Sequence, residues 1–150
     1  MRSIFIYLKT ATEDQLSRFL DNYFGQPATD QAPGSNNWIW EVNNDAVLYI
    51  SFYDAYDAEL ESETKEALHH ALGGPPTACL SADVSGRHPG DQEVREFIRL
   101  ILSSFEGVAQ DDYTDSFWLL LEIEQGHYHN GHPFFDYQGW HEKHKQRTAE

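Results

Sequence analysis

Three groups of side chains in the sequence have the chemistry of a binding or catalytic site. The first is an acidic run with two tyrosines, whose members are Tyr53, Asp54, Tyr56, Asp57, Glu59, Glu61, Glu63 and Glu66. Grouped carboxylates favour a basic partner, and tyrosines are enriched among the residues that dominate protein interfaces. The same pattern is typical of a solvated helix start, where acidic side chains interact favourably with the helix dipole.

The second group is the aspartate cluster of Asp111, Asp112 and Asp115. Clustered carboxylates can bind Mg²⁺ or Ca²⁺, but the spacing here lacks the glycine and the glutamate of an EF-hand loop. A strand end, a turn and a capping residue for the next helix account for the same residues. We therefore interpret the cluster as a set of partner contacts at a strand end, and we predict no metal ligand.

The third group is a histidine set formed by His127, His129, His132, His141 and His144. Such tracts can bind zinc or nickel, but this spacing matches no zinc motif. It favours a surface loop whose imidazoles titrate near neutral pH. A metal-binding protein or metal-dependent hydrolase that combines these histidines with the aspartate cluster is the alternative. The sequence has no nucleophile motif, so we predict no enzyme, no catalytic residue and no cofactor.

Charge is the most unusual feature of the composition. The formal net charge is −15, and Lys65 is the one lysine or arginine between residues 19 and 86. Such a surface repels phosphate backbones, which disfavours nucleic acid, and attracts a basic protein. An acidic surface also keeps a small protein soluble, and this plainer interpretation stays open.

The elements that must position these groups follow from local patterns. We predict strands over residues 3–9, 38–42, 46–53 and 78–84 and a shorter strand near Val108. Thr12 and Gln15 form a capping box for a first helix, and Gly73–Pro76 ends a second. The next helix, which begins at Asp91 and ends before Gly107, has the clearest apolar stripe, and a last helix spans 115–125.

This order predicts an α+β fold. Its core is a ferredoxin-like β-α-β-β-α-β unit, extended by a further helix, a short strand and a C-terminal helix, with the sheet packed against helices. We expect a single domain over residues 1–150, in which 126–150 form a tail rich in histidine and aromatic residues. No apolar run approaches the roughly 20 residues of a membrane span, and the N-terminus is too short for a secretory signal. The single cysteine suits the cytoplasm.

Two stretches resemble immunity proteins of bacterial polymorphic toxin systems. They are DVSGRHPGDQEVREF…SSFEGVAQDDYTDSFWLLLEI and the following GHPFFDY, and the likeness covers about residues 81–137. The resemblance implies a protein that binds one cognate toxin and blocks it without turnover. This implied function agrees with the acidic charge, because many toxin domains that act on nucleic acid have basic clefts.

We therefore expect a non-enzymatic inhibitor whose acidic face occludes the basic active-site cleft of a toxin. Tyr53, Tyr56 and Trp118 would add buried area to the contact. The protein would be a monomer or a weak homodimer. The remaining alternative is a structural or adaptor domain that dimerises through a sheet edge or through the aromatic tail.

Overall fold

A computed structural model describes most of the chain. The described residues are 2–24, 37–43, 46–53, 56–85, 91–111, 116–129 and 132–135. The strands are β1 (Arg2–Leu8), β2 (Asn37–Asn43), β3 (Ala46–Phe52), β4 (Ala78–Ser85), β5 (Gly107–Asp111), β6 (Tyr128–His129) and β7 (His132–Pro133). The helices are α1 (Glu13–Phe24), α2 (Tyr56–Glu59), α3 (Ser62–Leu72), α4 (Asp91–Leu102) and α5 (Leu120–Glu124).

Five strands form one antiparallel sheet, in the order β2-β3-β4-β1-β5. The predicted α+β class is therefore confirmed. The ferredoxin-like arrangement is not reproduced, because a split unit would place β1 beside β3. In the structure β4 lies between β3 and β1. The strand that follows α2 and α3 therefore pairs directly with β3. Strands β6 and β7 form a separate two-stranded sheet.

The two faces of the large sheet are covered to different extents. Side chains alternate between the faces along each strand, so Ile4, Ile6 and Leu8 of β1 point to one face while Phe5 and Tyr7 point to the other. The first face, with its apolar residues fully buried, packs against the apolar sides of α1, α4 and α5. The second face carries a smaller core, in which Leu68 and Leu72 of α3 lie on the sheet.

Helices α1 and α3 begin or end at the residues that the sequence indicates. The Gln15 backbone N–H donates to Thr12 Oγ1 at 3.2 Å, and the Thr12 N–H donates to Gln15 Oε1 at 3.0 Å, which completes the predicted capping box. Gly73 ends α3 in the left-handed conformation with φ 82°. Both of these helix-end predictions are confirmed.

Gly107 has a different role from the predicted one. Helix α4 ends at Leu102, and Gly107 is the first residue of β5, where it pairs with Leu8. A Cβ at this position would lie 2.3 Å from the carbonyl oxygen of Tyr7. Glycine is thus required by the close approach of β5 to β1, and the helix ends without it.

The last helix is shorter than the predicted span of 115–125. Helix α5 begins at Leu120, because Trp118 is held in an extended conformation by Ala109 of β5. The two residues exchange backbone hydrogen bonds of 2.9 and 2.8 Å. The Trp118 side chain is fully buried in the first-face core. At Trp118, the pairing with β5 thus overrides the helical pattern of the sequence.

Part of the predicted tail belongs to the core. Phe134 and Phe135 are 1% and 2% exposed, and the ring of Phe134 packs edge-on against Trp118 with centroids 5.7 Å apart. The rest of the tail, from residue 136, lies outside the described residues. None of the described helices, of which the longest have 12 residues, is long and apolar enough to cross a membrane.

Candidate functional site

The acidic run begins where β3 leaves the sheet. The Tyr53 N–H donates to the Cys79 carbonyl at 2.9 Å, which keeps Tyr53 in line with the strand. Its hydroxyl donates to Glu59 Oε2 at 2.5 Å, and its ring lies against Phe5 with centroids 4.8 Å apart. The side chain of Glu59 is therefore tied to the second face of the sheet by a tyrosine that is itself packed on that face.

The protonation state of Tyr53 fits this role. Partial burial raises the pKa of the Tyr53 phenol above its usual range, and the hydrogen bond to Glu59 and the charge of that carboxylate raise it further. The phenol stays protonated at neutral pH and acts as the donor. Tyr53 thus positions an acidic side chain, which is a structural contribution to a binding surface.

Helix α3 presents the next carboxylates to solvent. Leu68 and Leu72 anchor its inner side, while Glu63 and Glu66 lie one turn apart on its outer side and are exposed. Glu61 stands at the N-cap position, is exposed, and makes no capping hydrogen bond with its side chain. We call Glu59, Glu61, Glu63 and Glu66 the acidic rim, since all four are exposed.

Beside the acidic rim, part of the second sheet face is open. The strand register places Ile39, Tyr49, Asp83 and Ser3 in one row across β2, β3, β4 and β1. Ile39 and Tyr49 are each 41% exposed, and Asp83 accepts a hydrogen bond of 2.5 Å from the Ser3 hydroxyl. We call this row, together with the half-buried Val47, the open patch.

The acidic rim and the open patch lie on the same face of the sheet. Tyr53 follows Tyr49 by four residues along the direction of β3, so their Cα atoms are about 13 Å apart and both side chains point to the second face. Between them, Ser51 and Ser81 are paired across β3 and β4 with hydroxyl oxygens 3.1 Å apart. An apolar patch is thus bordered by polar groups and, at one end, by the Glu59 carboxylate that Tyr53 holds.

The aspartate cluster lies elsewhere. Asp111 pairs with Ile4 and therefore points to the first face, opposite the acidic rim. It is 3% exposed, and its Oδ2 accepts a hydrogen bond of 2.7 Å from the Phe135 backbone N–H. This burial does not fit the predicted partner contact: the carboxylate holds the chain near Phe135 against the sheet. Asp111 and the acidic rim lie on opposite sides of the sheet, so they cannot belong to one binding surface.

Several predicted site residues lie partly or wholly outside the described residues. Asp54, Asp112 and Asp115 are among these, as are His141 and His144. Tyr56 and Asp57 belong to α2, but their side chains are not described. The predicted roles of these residues therefore remain predictions.

Of the histidine set, His127 is the residue whose side chain is described, so the metal alternative stays a prediction. In the described ranges, no three histidine, cysteine, aspartate or glutamate side chains lie close enough together to bind a metal ion. His127 Nδ1 lies 4.0 Å from Glu122 Oε2, which is a surface contact on α5. Cys79 is 7% exposed and packs in the small core beneath α3.

A buried phenol lies under α3. The Tyr7 hydroxyl donates to Gln110 Oε1 at 2.7 Å, and Tyr7 is fully buried between Val108, Cys79 and the edge of the Phe117 ring. Burial raises the pKa of Tyr7 above its usual range, and the nearby Tyr53 and Cys79 add to the effect. A phenol held neutral in this way is a structural donor.

Sequence reasoning did not single out Ile39, Tyr49 or Asp83. The residues around Tyr49 are apolar on both faces of the strand, which correctly predicts that β3 has a neighbour on each side. Which of those side chains stays uncovered depends on where α3 lies. Comparison of the chain with family models, curated proteins and solved structures gave no match.

Proposed function

We propose that this protein is an acidic inhibitor that binds a cognate toxin over its basic active-site cleft and blocks it without turning over a substrate. The observation that carries the proposal is the acidic rim, whose four exposed carboxylates belong to α2, α3 and the N-cap of α3, on the side of the sheet that also exposes Tyr49. Interfaces of this kind combine a charged border with an aromatic centre. The resemblance of residues 81–137 to immunity proteins supports the same function.

The charge defines how such an inhibitor works. A net charge of −15 attracts a basic partner over distances set by the ionic strength, and it raises the association rate more than the final affinity. The affinity then depends on apolar side chains that become buried in the contact. A standard interface of about 1,600 Å² in total would be large enough to cover both the acidic rim and the open patch.

The cysteine content of the chain bears on the cellular compartment in which the inhibitor acts. Cys79 is the single cysteine of the sequence and is buried in the core, so the chain has no intrachain disulfide that would need an oxidising environment. We therefore place the inhibitor in the cytoplasm, where it would meet its toxin as a monomer or a weak homodimer. Binding alone, with a one-to-one complex, is the expected mode of action.

Co-expression is the direct test. A cell that produces the toxic product of the neighbouring gene should survive when it also produces this protein, and the two proteins should purify together as a one-to-one complex. If the neighbouring product stays toxic in the presence of the wild-type protein, the proposal is wrong.

Charge variants show which surface takes part. Glu61→Gln, Glu63→Gln and Glu66→Gln together remove three rim charges and leave the bond between Tyr53 and Glu59 intact. The association rate should fall about tenfold at low salt, and its dependence on salt should weaken, because rim charges act mainly on the encounter.

The matched control removes three exposed charges elsewhere, by Glu13→Gln, Asp14→Asn and Glu96→Gln. It changes the net charge equally, so a smaller effect on the rate separates local complementarity from overall charge. Equal losses in both triple variants would contradict the role given to the acidic rim.

A further inference from the structure

Among the described residues, six large apolar side chains are exposed, and two of them are neighbours in the sheet. Ile39 and Tyr49 lie directly opposite each other on β2 and β3, and each is 41% exposed. Directly opposite side chains have Cβ atoms about 5 Å apart, so the two form one continuous apolar surface. The remaining four are Tyr23, Leu119, Leu121 and Tyr128.

Among the described elements, α3 lies on the second sheet face and covers part of its width. Helix α3 covers the area around Tyr7, Cys79 and Val108, on β1, β4 and β5. The row from Ser3 to Ile39 spans four neighbouring strands, which is about 14 Å. A helix of about ten residues is about 15 Å long, so one helix comparable with α3 would cover the row.

The charged side chains around the open patch indicate which kind of partner could bind there. Among the side chains that the structure describes on β1 to β4 of this face, Asp83 is the charged one, and it stands beside Tyr49. Glu59 lies at the end of the same face, through its bond to Tyr53. A second copy of this chain, with net charge −15, would be repelled. A lysine- or arginine-bearing helix would be attracted.

We propose that the open patch is the docking surface for a basic amphipathic helix of the partner protein. The apolar side of that helix would cover Ile39, Val47 and Tyr49, and a lysine or arginine on its flank would reach Asp83. Sheets commonly bury an apolar face under a helix, and the partner would supply here what α3 supplies on the rest of the face. This assignment rests on the proposed function and names the surface and the partner element.

A defined peptide tests the surface without the toxin. The probe is a synthetic 14-residue amphipathic helix with a leucine stripe and lysines on both flanks, and the control peptide has glutamates in place of the lysines. Titration into the isotope-labelled full-length protein, followed by NMR, should shift the amide signals of β2, Tyr49 and Asp83. The glutamate peptide should leave them unchanged.

Two variants of the patch have clear expected effects. Tyr49→Ser should weaken binding of the lysine peptide about tenfold, which corresponds to about 1.4 kcal/mol, because it removes an exposed aromatic contact. Asp83→Asn keeps the acceptor for the Ser3 hydroxyl, removes the charge, and should weaken binding about threefold with a reduced salt dependence. Tyr128→Ser, at a tyrosine that is 67% exposed on β6, is the control and should bind as the wild type does.

The outcomes separate this inference from the proposed function. Absence of peptide binding at millimolar concentration, shifts that map to α1, α5 or only the outer edge of β2, or equal effects of Tyr49→Ser and Tyr128→Ser would overturn the docking surface. A second outcome is that Tyr49→Ser protects cells as fully as the wild type does, whereas the rim variant does not. The inhibitor function then stands, and the helix assignment is wrong. If the wild type gives no protection, the function fails whatever the peptide does.

Discussion

Replacing Tyr7 by phenylalanine tests the buried hydrogen bond that the phenol under α3 donates to Gln110. The change removes one hydroxyl group, which donates to Gln110 Oε1 at 2.7 Å in a place where both side chains are buried. The ring, its packing against Phe117 and its volume stay nearly the same. Any effect on stability therefore comes from the polar group and from its protonation.

At neutral pH the variant should be less stable than the wild type. The Gln110 oxygen loses its buried donor, and a buried acceptor without a partner costs about 1–3 kcal/mol. Gln110→Met leaves the phenol without this acceptor and should cost a similar amount. The double variant, with both polar groups replaced, should recover most of the loss, because the remaining groups are apolar.

At alkaline pH the difference should become smaller. The pKa of Tyr7 is raised in the folded state, whereas an unfolded tyrosine has a pKa of about 10. The unfolded chain therefore loses its proton first, so stability is unaffected well below pH 10 and falls as the pH rises above it. Linkage gives a loss on the order of 1 kcal/mol at pH 11 for this one group, and Tyr7→Phe removes that loss.

Urea unfolding at pH 7 and at pH 11 measures both effects, since each free energy comes from a two-state curve. The gap in unfolding free energy between wild type and Tyr7→Phe should narrow by on the order of 1 kcal/mol at the higher pH. Tyr128→Phe is the control: that side chain is 67% exposed, so unfolding changes its surroundings little and the gap should stay constant. A gap between wild type and Tyr7→Phe that does not change with pH would contradict a raised pKa of the buried Tyr7 phenol.

Three further changes follow from the packing. Gly107→Ala should destabilise the protein by about 3 kcal/mol or more, measured as a lower urea midpoint, because its Cβ would overlap the Tyr7 carbonyl oxygen, 2.3 Å away; an unchanged midpoint would contradict this close approach. Asp111→Ala should cost about 1–3 kcal/mol and raise proteolysis near Phe135, whose N–H loses its acceptor, whereas an unaltered cleavage pattern would argue against the tether. Leu68→Ala should cost about 2–5 kcal/mol and speed hydrogen exchange in α3, with Leu121→Ala, 61% exposed, as the control that should do neither.

The elements that the sequence predicts best depend on near neighbours in the chain. The stripe from Val94 to Ile101 buries on the first face as its spacing requires, and the pairing of Thr12 with Gln15 involves residues three apart. The strand patterns likewise predicted β2 and β3 to within one residue at each end. In each case the physical cause acts within a few residues, so it is visible in the sequence.

The order of the strands depends on distant residues. Ile6 pairs with Ala109, and Ile4 pairs with Asp111, so β5 takes its place beside a strand formed at the start of the chain. No short pattern indicates which strand will lie next to β1, and the ferredoxin-like order was wrong for this reason. The same contact with β5 draws Trp118 out of its apparent helical pattern.

The candidate site was predicted in part. The acidic run was visible as charge, and the structure places Glu59, Glu61 and Glu63 together on exposed elements. Asp111 looked similar in the sequence, but the strand register turns it inward to hold Phe135. The sequence alone gives the charge of a residue, whereas the side of the sheet on which it lies depends on long-range pairing.

The place of β1 in the sheet has a consequence for synthesis of the protein. Its residues leave the ribosome well before those of its two neighbours, β4 and β5, which begin at Ala78 and Gly107. At a translation rate of about 5–20 residues per second, roughly 5–20 s pass between the synthesis of β1, with its Ile4, Ile6 and Leu8, and that of β5. During that interval it is an apolar segment with unpaired edges, which is the kind of segment that is prone to aggregation. Slower translation ahead of β4 would lengthen the exposure and lower the soluble yield, although the folded protein would be unchanged.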